Sequence, residues 1–158
     1  MMIQYGLQMT QNLTNFLATQ ESKKYATQNG TNIHQLLRKV VFDKDKIIGD
    51  KNIITQIQKH PELKPFFSAS AQTEVAIAGI LNSVFISRRI DRLLINNETK
   101  TIDFIDYKTN INKTEFIDKY KKQLSEYAQL LQSAYPEYKI TGYILWIHDW
   151  QLAKMVAL

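Results

Sequence analysis

The second half of the chain has a fixed order of strand-like and helix-like segments, and this order restricts the fold most strongly. The segments "TEVAIAG", "SVFISRRIDRLLI" and "TIDFIDYKT" are rich in β-branched and aromatic residues, which indicates strands from Gln72 onward. The last two flank "NNETK", which has the composition of a hairpin loop. A long helix is predicted from about Thr114 to Ala134, ending near Pro136. "YKITGYILWI" then predicts a buried strand, and "LAKMVAL" a last one.

The first part of the chain, to about Phe67, has the periodicity of helices. Helical segments are predicted in "LTNFLATQESKKYA", "NGTNIHQLLRKVVF", "DKNIITQIQKH" and "PELKPFF", with turns at "NG" and "DKDKIIGD". Helices followed by strands, a helix and a strand predict an α/β fold, with a central mixed β-sheet flanked by α-helices and a helical N-terminal part. No linker or repeat divides the chain, so residues 1–158 are predicted to form one domain.

The composition excludes several kinds of site. The 158 residues include no cysteine, which excludes disulfides, thiol nucleophiles and cysteine-held iron–sulfur clusters. Any metal must therefore be held by oxygen and imidazole ligands. The net charge of +5 favours an anionic partner such as nucleic acid. There is no apolar run long enough to span a membrane and no convincing secretion signal, so a cytoplasmic location is expected.

The stretch "IDYKT" places an acid and a lysine on one face of a predicted strand. Side chains alternate along a strand, so Phe104, Asp106 and Lys108 share a face. The preceding strand ends its apolar alternation with Asp91. If the hairpin loop between the strands has an even number of residues, Asp91 and Asp106 share a face and lie near enough to share an ion. An odd loop would separate them.

Two close carboxylates repel each other unless a cation lies between them, and Mg²⁺ prefers oxygen ligands. Lys108 on the same face could orient a metal-activated water and offset charge on a phosphate. The alternative is a surface salt bridge between Asp106 and Lys108, which would contribute less than about 1 kcal/mol.

Three further positions are candidates for the same site. Gln123 and Tyr127 are four residues apart on the predicted helix and hence neighbours in an otherwise apolar stripe; the alternative is a satisfied core pair. His34 shares one side of a predicted helix with Leu37 and Val41, where it could be a core residue or a metal ligand. Glu74 could reach the cleft or be an exposed edge charge.

Five motifs resemble a known family when they are taken in order. "GTNIHQLL", "TEVAIAG", "RRIDRLL", "IDYKTN" and "QLSEYAQLL…YP", followed by "GYILWI", resemble the RecB/AddA nuclease domains of the PD-(D/E)xK superfamily. The best match is the C-terminal nuclease domain of bacterial AddA helicase–nucleases. The resemblance covers residues 30–158 and implies a restriction-endonuclease-like core, preceded by a helical extension over residues 1–29.

The resemblance implies roles for individual residues. His34, Asp91 and Asp106 match the metal ligands, together with the backbone carbonyl of Tyr107, and Lys108 matches the catalytic lysine. Asp91, Asp106 and Lys108 therefore form the implied catalytic group.

Other matching positions concern support of the site and DNA contact. Gln123 and Tyr127 match the Q-x-x-x-Y pair, which supports the active site and contacts DNA, and Glu74 matches a recurrent family acid. Arg88 stands where family members often have glycine, so a cation there could contact a phosphate.

The implied activity is that of a deoxyribonuclease dependent on Mg²⁺, with Mn²⁺ as a substitute, and more an exonuclease than an endonuclease. Such domains act on DNA in double-strand-break repair, beside a helicase motor and a second subunit. The chain has no GxxxxGK[ST] phosphate loop, so no ATP site is expected in it. The alternative is an inactive module with a nuclease-like fold that binds DNA or a partner protein.

Overall fold

The computed structural model describes residues 32–158. The chain divides into two compact units, Met1–Ile33 and His34–Leu158. The predicted helical extension over residues 1–29 lies outside the described residues. None of the helices in the described part is both long and apolar enough to cross a membrane.

The second unit begins with helical residues 34–38, named α1 here. The other elements are β1 (Val41–Phe42), β2 (Ile47–Ile48), α2 (Lys51–Lys59), a 3₁₀ helix (Pro61–Phe67), β3 (Gln72–Leu81), β4 (Val84–Asn96), β5 (Thr101–Lys108), α3 (Lys113–Ala134), β6 (Lys139–Trp146) and β7 (Gln151–Ala157).

The central sheet has five strands in the order β3-β4-β5-β6-β7. Strands β5 and β6 are parallel and the other neighbours are antiparallel, so the sheet is mixed. The parallel pair requires a crossover connection, which α3 provides. The predicted α/β class with a mixed sheet is confirmed, and the architecture is compatible with a restriction-endonuclease-like core.

Helix α3 covers one face of the sheet. Its buried residues Tyr120, Leu124 and Leu131 join Phe104 and Ile140 in one hydrophobic core. The helix begins after Asn112, whose side chain caps it by accepting from the Glu115 N–H. The bounds of α3 agree with the sequence prediction to within one residue.

The opposite face is covered by the C-terminal end of α1 and by the 3₁₀ helix. Arg92 of β4 reaches the carbonyl oxygens of Leu37 and Phe66 there, and Phe66 packs edge-on against Tyr143 of β6. The sheet therefore lies between two helical layers, as the sequence predicted.

Two N-terminal predictions were wrong. The predicted helix over "NGTNIHQLLRKVVF" ends before Val41, which lies in β1, so Val41 does not share a helical face with His34. The segment "DKDKIIGD" is not only a turn, since Ile47 and Ile48 form β2 and pair with β1. The β-branched residues Val40 and Val41 favour a strand over a continued helix. Pairing with β2 supplies hydrogen-bonding partners for the backbone of β1.

Strands β3 and β4 form a hairpin with a two-residue turn. Leu81 pairs with Val84, and the turn residues Asn82 and Ser83 have φ of 50° and 63°. Two consecutive positive φ angles are typical of the type I′ turn, whose twist matches that of the flanking strands.

Gly142 of β6 is the position where the core tolerates an added methyl group least. A Cβ there would lie 2.4 Å from Phe104 Cζ and 2.7 Å from Val156 Cγ1. We expect Gly142→Ala to lower the free energy of unfolding by about 1–3 kcal/mol, because a buried aromatic ring must move. Urea unfolding measures this loss.

Gly79→Ala is the matched control. Its Cβ would meet only the Leu130 Cδ2, at 2.7 Å, which is the end of a flexible side chain. Equal losses in the two variants would contradict the packing argument for Gly142.

Candidate active site

The β4–β5 hairpin brings the two predicted aspartates together. Residues 97–100 form its loop, and this number is even, which is the condition for a shared face. Arg92 pairs with Ile105 at the last ladder position, so the same register carried one step further sets Asp91 opposite Asp106.

The regular hydrogen bonding between β4 and β5 ends at this step. The Tyr107 N–H donates to Asp91 Oδ2 at 2.7 Å, so a carboxylate replaces a strand carbonyl as its acceptor. On the other side of β4, Thr73 pairs with Arg92 and Val75 with Ile90, while Glu74 between them has φ of 54°. This left-handed conformation is costly for a residue that is not glycine, and such strain is often concentrated at functional sites.

The side-chain alternation of β4 also changes at this point. Ile90 and Leu93 both pack in the core beneath α3, although they are three positions apart and would lie on opposite faces of a regular strand. Asp91 and Arg92 lie in the irregular stretch between them. The Asp91 carboxylate is thereby directed to the end of β5.

Lys108 is held by three groups on the α3 face. Its Nζ lies 2.6 Å from Asp106 Oδ2, donates to Gln123 Oε1 at 3.1 Å, and lies 4.2 Å from the centre of the Tyr120 ring. The Gln123 Nε2 donates to the Tyr127 hydroxyl at 2.6 Å, which fixes the amide. Gln123 thus orients the lysine directly, and Tyr127 acts through Gln123.

Asp106 is a buried carboxylate with an incomplete set of partners. The residue is 5% exposed. Its Oδ2 forms an ion pair with Lys108 Nζ, 2.6 Å away, and has no further polar partner among the described residues. Burial raises the pKa of Asp106, and Lys108 opposes this shift. With side chains only 8% and 15% exposed, the two residues do not form the surface salt bridge considered as the alternative.

His34 of α1 faces Asp91 from the opposite layer. Its Nδ1 lies 3.5 Å from Asp91 Oδ1, and its ring packs edge-on against Tyr107 with centroids 5.3 Å apart. The hydrogen bond to Asp91 is the main cause that raises the pKa of His34, and Asp106 and Glu74 add to it electrostatically. His34, Asp91 and Asp106 therefore belong to one electrostatic neighbourhood.

Arg92 connects β5 to α1 beside this site, and the sequence analysis did not identify it. The residue is 1% exposed, and its guanidinium donates to the carbonyl oxygens of Leu37 and Val40 at 2.5 and 2.9 Å. It also donates to the Tyr107 hydroxyl at 3.0 Å and stacks over Phe67. The α1 carbonyls are the negative end of that helix, so a cation fits there without a carboxylate partner. Its place in "RRIDRLL" looks like that of a surface cation, and only the register reveals its burial.

Two predicted residues lie at the rim. Glu74 Oε2 lies 3.4 Å from Arg89 Nη1, and Arg88 Nη2 lies 3.2 Å from Glu126 Oε2 of α3. Glu74 therefore contributes to the charge around His34 from a distance, while Arg88 faces the α3 side with Lys108.

Donor types that suit a hard divalent cation lie near one another at this site. Within residues 32–158 no three His, Cys, Asp or Glu side chains are already arranged as a metal site. Asp91, Asp106 and His34 nevertheless bring carboxylate and imidazole donors, which are types that such an ion binds, into one electrostatic neighbourhood. The carbonyl of Tyr107 stays a predicted ligand.

Comparisons with known proteins do not identify a family. No family model matches the chain, and no curated protein matches it. Four chains of solved structures match. One is the crystal structure of SSO0001, with 20% identity and a TM-score of 0.37, covering 67% of this chain and 48% of that one. This chain thus spans about half the length of SSO0001, and a similarity at this level carries no argument about function.

Proposed function

We propose that this chain is a metal-dependent deoxyribonuclease that hydrolyses phosphodiester bonds, with an exonuclease mode preferred. The observation that carries the proposal is the buried Asp106–Lys108 pair at the open end of the β4–β5 ladder. A buried carboxylate and ammonium group at a strand end, with the ammonium group also held by Gln123, are the kind of perturbed pair that is often found at functional sites, and this supports the proposal.

Asp91, Asp106 and His34 would hold the ion, which is Mg²⁺ or, as a substitute, Mn²⁺. When bound, the ion supplies a water of lowered pKa and offsets phosphate charge. Asp91 is oriented by the Tyr107 N–H, and Asp106 by its place in β5.

Lys108 Nζ can donate a hydrogen bond to an oxygen of the substrate phosphate and offset its charge. The contact with Gln123 keeps Nζ at the mouth of the cleft. Burial raises the pKa of Tyr127 to about 12, so its hydroxyl stays protonated and remains a fixed partner for the amide.

The motif resemblance extends the proposal beyond the site. We propose that the chain acts in double-strand-break repair in the cytoplasm, beside a helicase motor and a second subunit, since no phosphate loop for ATP is present in its sequence.

A binding module without catalysis is the second candidate. The position of Lys108 Nζ, 2.6 Å from Asp106 Oδ2, favours it, because the ammonium group can neutralise the carboxylate without a metal. Such a module would bind DNA through its basic cleft and leave it intact.

One assay separates the two candidates. Purified protein is incubated with linear and closed circular DNA, single- and double-stranded, with Mg²⁺ or with EDTA. We expect Mg²⁺-dependent loss of linear DNA and survival of closed circles. Cleavage of closed circles would contradict the exonuclease mode. Retention of DNA without cleavage in Mg²⁺ and in Mn²⁺ would contradict the nuclease proposal and favour the module.

A further inference from the structure

The outer side of β3 is a long strand edge that no other strand of the described part pairs with. The sheet order begins at β3, and its neighbour β4 lies on one side only. The stretch "VAIAGIL" (75–81) of this edge carries no charge and no proline. Soluble proteins usually protect such an edge with lysine, proline or a covering element, because its backbone groups pair readily with a further strand. The composition of β3 therefore favours a strand as its partner.

The register of the β3–β4 hairpin shows which backbone groups are directed to this edge. Leu81 and Val84 flank the two-residue turn and therefore form a hydrogen-bonded pair. Hydrogen-bonded pairs alternate with non-hydrogen-bonded pairs along an antiparallel ladder. Ala76, Ala78 and Ile80 therefore direct their N–H and C=O groups away from β4, where an added strand would meet them.

The same three residues belong to an exposed apolar face of the sheet. Ile77 packs against the core beneath α3, so Ala76, Ala78 and Ile80 lie on the other face of β3, and all three are exposed. Ile80 and Phe85, which pair across the hairpin, are 71% and 69% exposed. An exposed apolar surface beside an unprotected edge indicates an interaction surface.

The side chains of this edge are complementary to those of a second copy of the same edge. In an antiparallel pair with Ala78 of the two copies directly opposite each other, Ala76 of each copy lies opposite Ile80 of the other. On the α3 face, Ile77 of each copy lies opposite Gly79 of the other. A large side chain thus meets a small one on both faces, which suits close cross-strand packing.

The charge distribution favours the same arrangement. Glu74 is the one charged residue of β3, and in this register it lies opposite the turn residue Asn82 of the other copy. No two like charges are therefore opposed. A pairing centred on Ile77 would instead set Glu74 against Ile80, which would desolvate a carboxylate beside an apolar side chain.

We propose that this chain forms an isologous dimer, in which the β3 edges of two copies pair antiparallel about Ala78 and join the two five-stranded sheets into one. A strand of 10 residues is about 33 Å long, so the interface is small and the dimer dissociates reversibly. The inference does not rest on the proposed function. Asp106 and Lys108 lie in β5, two strands from this edge, so pairing at β3 leaves them uncovered.

Ile80 and Phe85 provide a matched pair of variants. They share a face and are almost equally exposed, but only Ile80 lies in the edge strand. Ile80→Lys places two ammonium groups at the interface, one from each copy, whereas Phe85→Lys places the same charges one strand away.

Sedimentation equilibrium over a range of protein concentrations measures the effect. The weight-average mass of wild-type protein should rise from 18.4 kDa toward twice that value as the concentration increases. We expect Ile80→Lys to weaken dimerisation by about tenfold or more, and Phe85→Lys by less than about threefold. Circular dichroism shows whether each variant is folded.

The absence of cysteine from the chain allows a direct test of the register. In the proposed dimer the two copies of residue 78 have Cα atoms about 5.5 Å apart, which is within disulfide range. The two copies of residue 76 are offset by about 13 Å along the strands. Under mild oxidation with diamide, Ala78→Cys should therefore form a disulfide-linked dimer at least about tenfold faster than Ala76→Cys.

Each contrary result overturns the inference. A mass of one chain at every concentration would exclude the dimer. Equal losses in the two lysine variants would indicate docking through the apolar face rather than through the edge. Equal rates of disulfide formation at residues 76 and 78 would indicate random collision, and this test holds even if Ile80→Lys does not fold. DNA cleavage by a strictly monomeric protein would overturn the dimer and leave the nuclease proposal standing.

Discussion

Asp106→Asn is expected to lower Mg²⁺-dependent DNA cleavage by about 10³-fold while the fold stays intact. The amide has nearly the shape of the carboxylate but carries no charge, so it holds a divalent ion poorly. Lys108→Met should lose about 10²–10³-fold, because it removes the positioned ammonium group and keeps the length of the side chain. Single-turnover rates on linear DNA measure both effects.

The thermal stability of Asp106→Asn should move the other way. Burial raises the pKa of Asp106, which means that desolvation makes the ionised carboxylate less favourable in the folded state than in the unfolded state. Asparagine removes that cost, and we expect an unchanged or slightly higher melting temperature. Millimolar Mg²⁺ should stabilise wild-type protein by about 1 kcal/mol and should not stabilise this variant.

Asp103→Asn is the control for this experiment. Asp103 is also in β5, but its side chain lies on the opposite face of the strand from Asp106, and burial raises its pKa as well. The control variant should cleave DNA at the wild-type rate. A wild-type rate in Asp106→Asn, or an equal loss in Asp103→Asn, would contradict the assigned chemistry.

Arg92→Met is expected to lower the free energy of unfolding by about 3–5 kcal/mol. The guanidinium satisfies buried carbonyl oxygens of α1 and the 3₁₀ helix, which would be left without donors. Methionine preserves much of the apolar stem, so the loss reports the polar contacts. Urea unfolding measures it.

Arg89→Met provides the comparison for Arg92→Met. The Arg89 side chain is 66% exposed and contacts Glu74 at 3.4 Å, so its removal should cost less than about 1 kcal/mol. Similar losses at the two arginines would contradict the structural role of Arg92.

Arg92→Lys separates stability from positioning. Lysine keeps the charge but lacks the planar fork of donors that reaches several carbonyls at once. Because those carbonyls end the helix that carries His34, we expect the folded variant to need a higher Mg²⁺ concentration for half-maximal cleavage. An unchanged Mg²⁺ requirement would assign Arg92 to stability alone.

The sequence was sufficient for the central part of the fold, because the relevant signals there are local. The alternation in β5, the apolar run in β6 and the stripe on α3 each identify an element within its own length. The sequence left open whether the two aspartates face each other, because that depends on the parity of the hairpin loop, and the structure gives a loop of four residues.

The remaining features depend on contacts that are distant in the chain. Glu74 adopts a positive φ in the middle of a strand, and nothing in "TEVAI" signals it. The change of alternation between Ile90 and Leu93 is invisible in "RRIDRLL" until both neighbouring strands are paired. The burial of Arg92 depends on the helical residues that cover the other face of the sheet, which are distant in the chain.

Lys108 is the last residue of β5, and α3 begins at Lys113, so a very short connection joins the reactive strand to the helix that supports it. Asn110 accepts from the Tyr120 hydroxyl and Asn112 caps α3, which ties both ends of this connection to the scaffold. Thr109 and the 79%-exposed Ile111 are the positions left to vary. Substitutions at these two positions would therefore change the surface beside Lys108 without altering the layers beneath it.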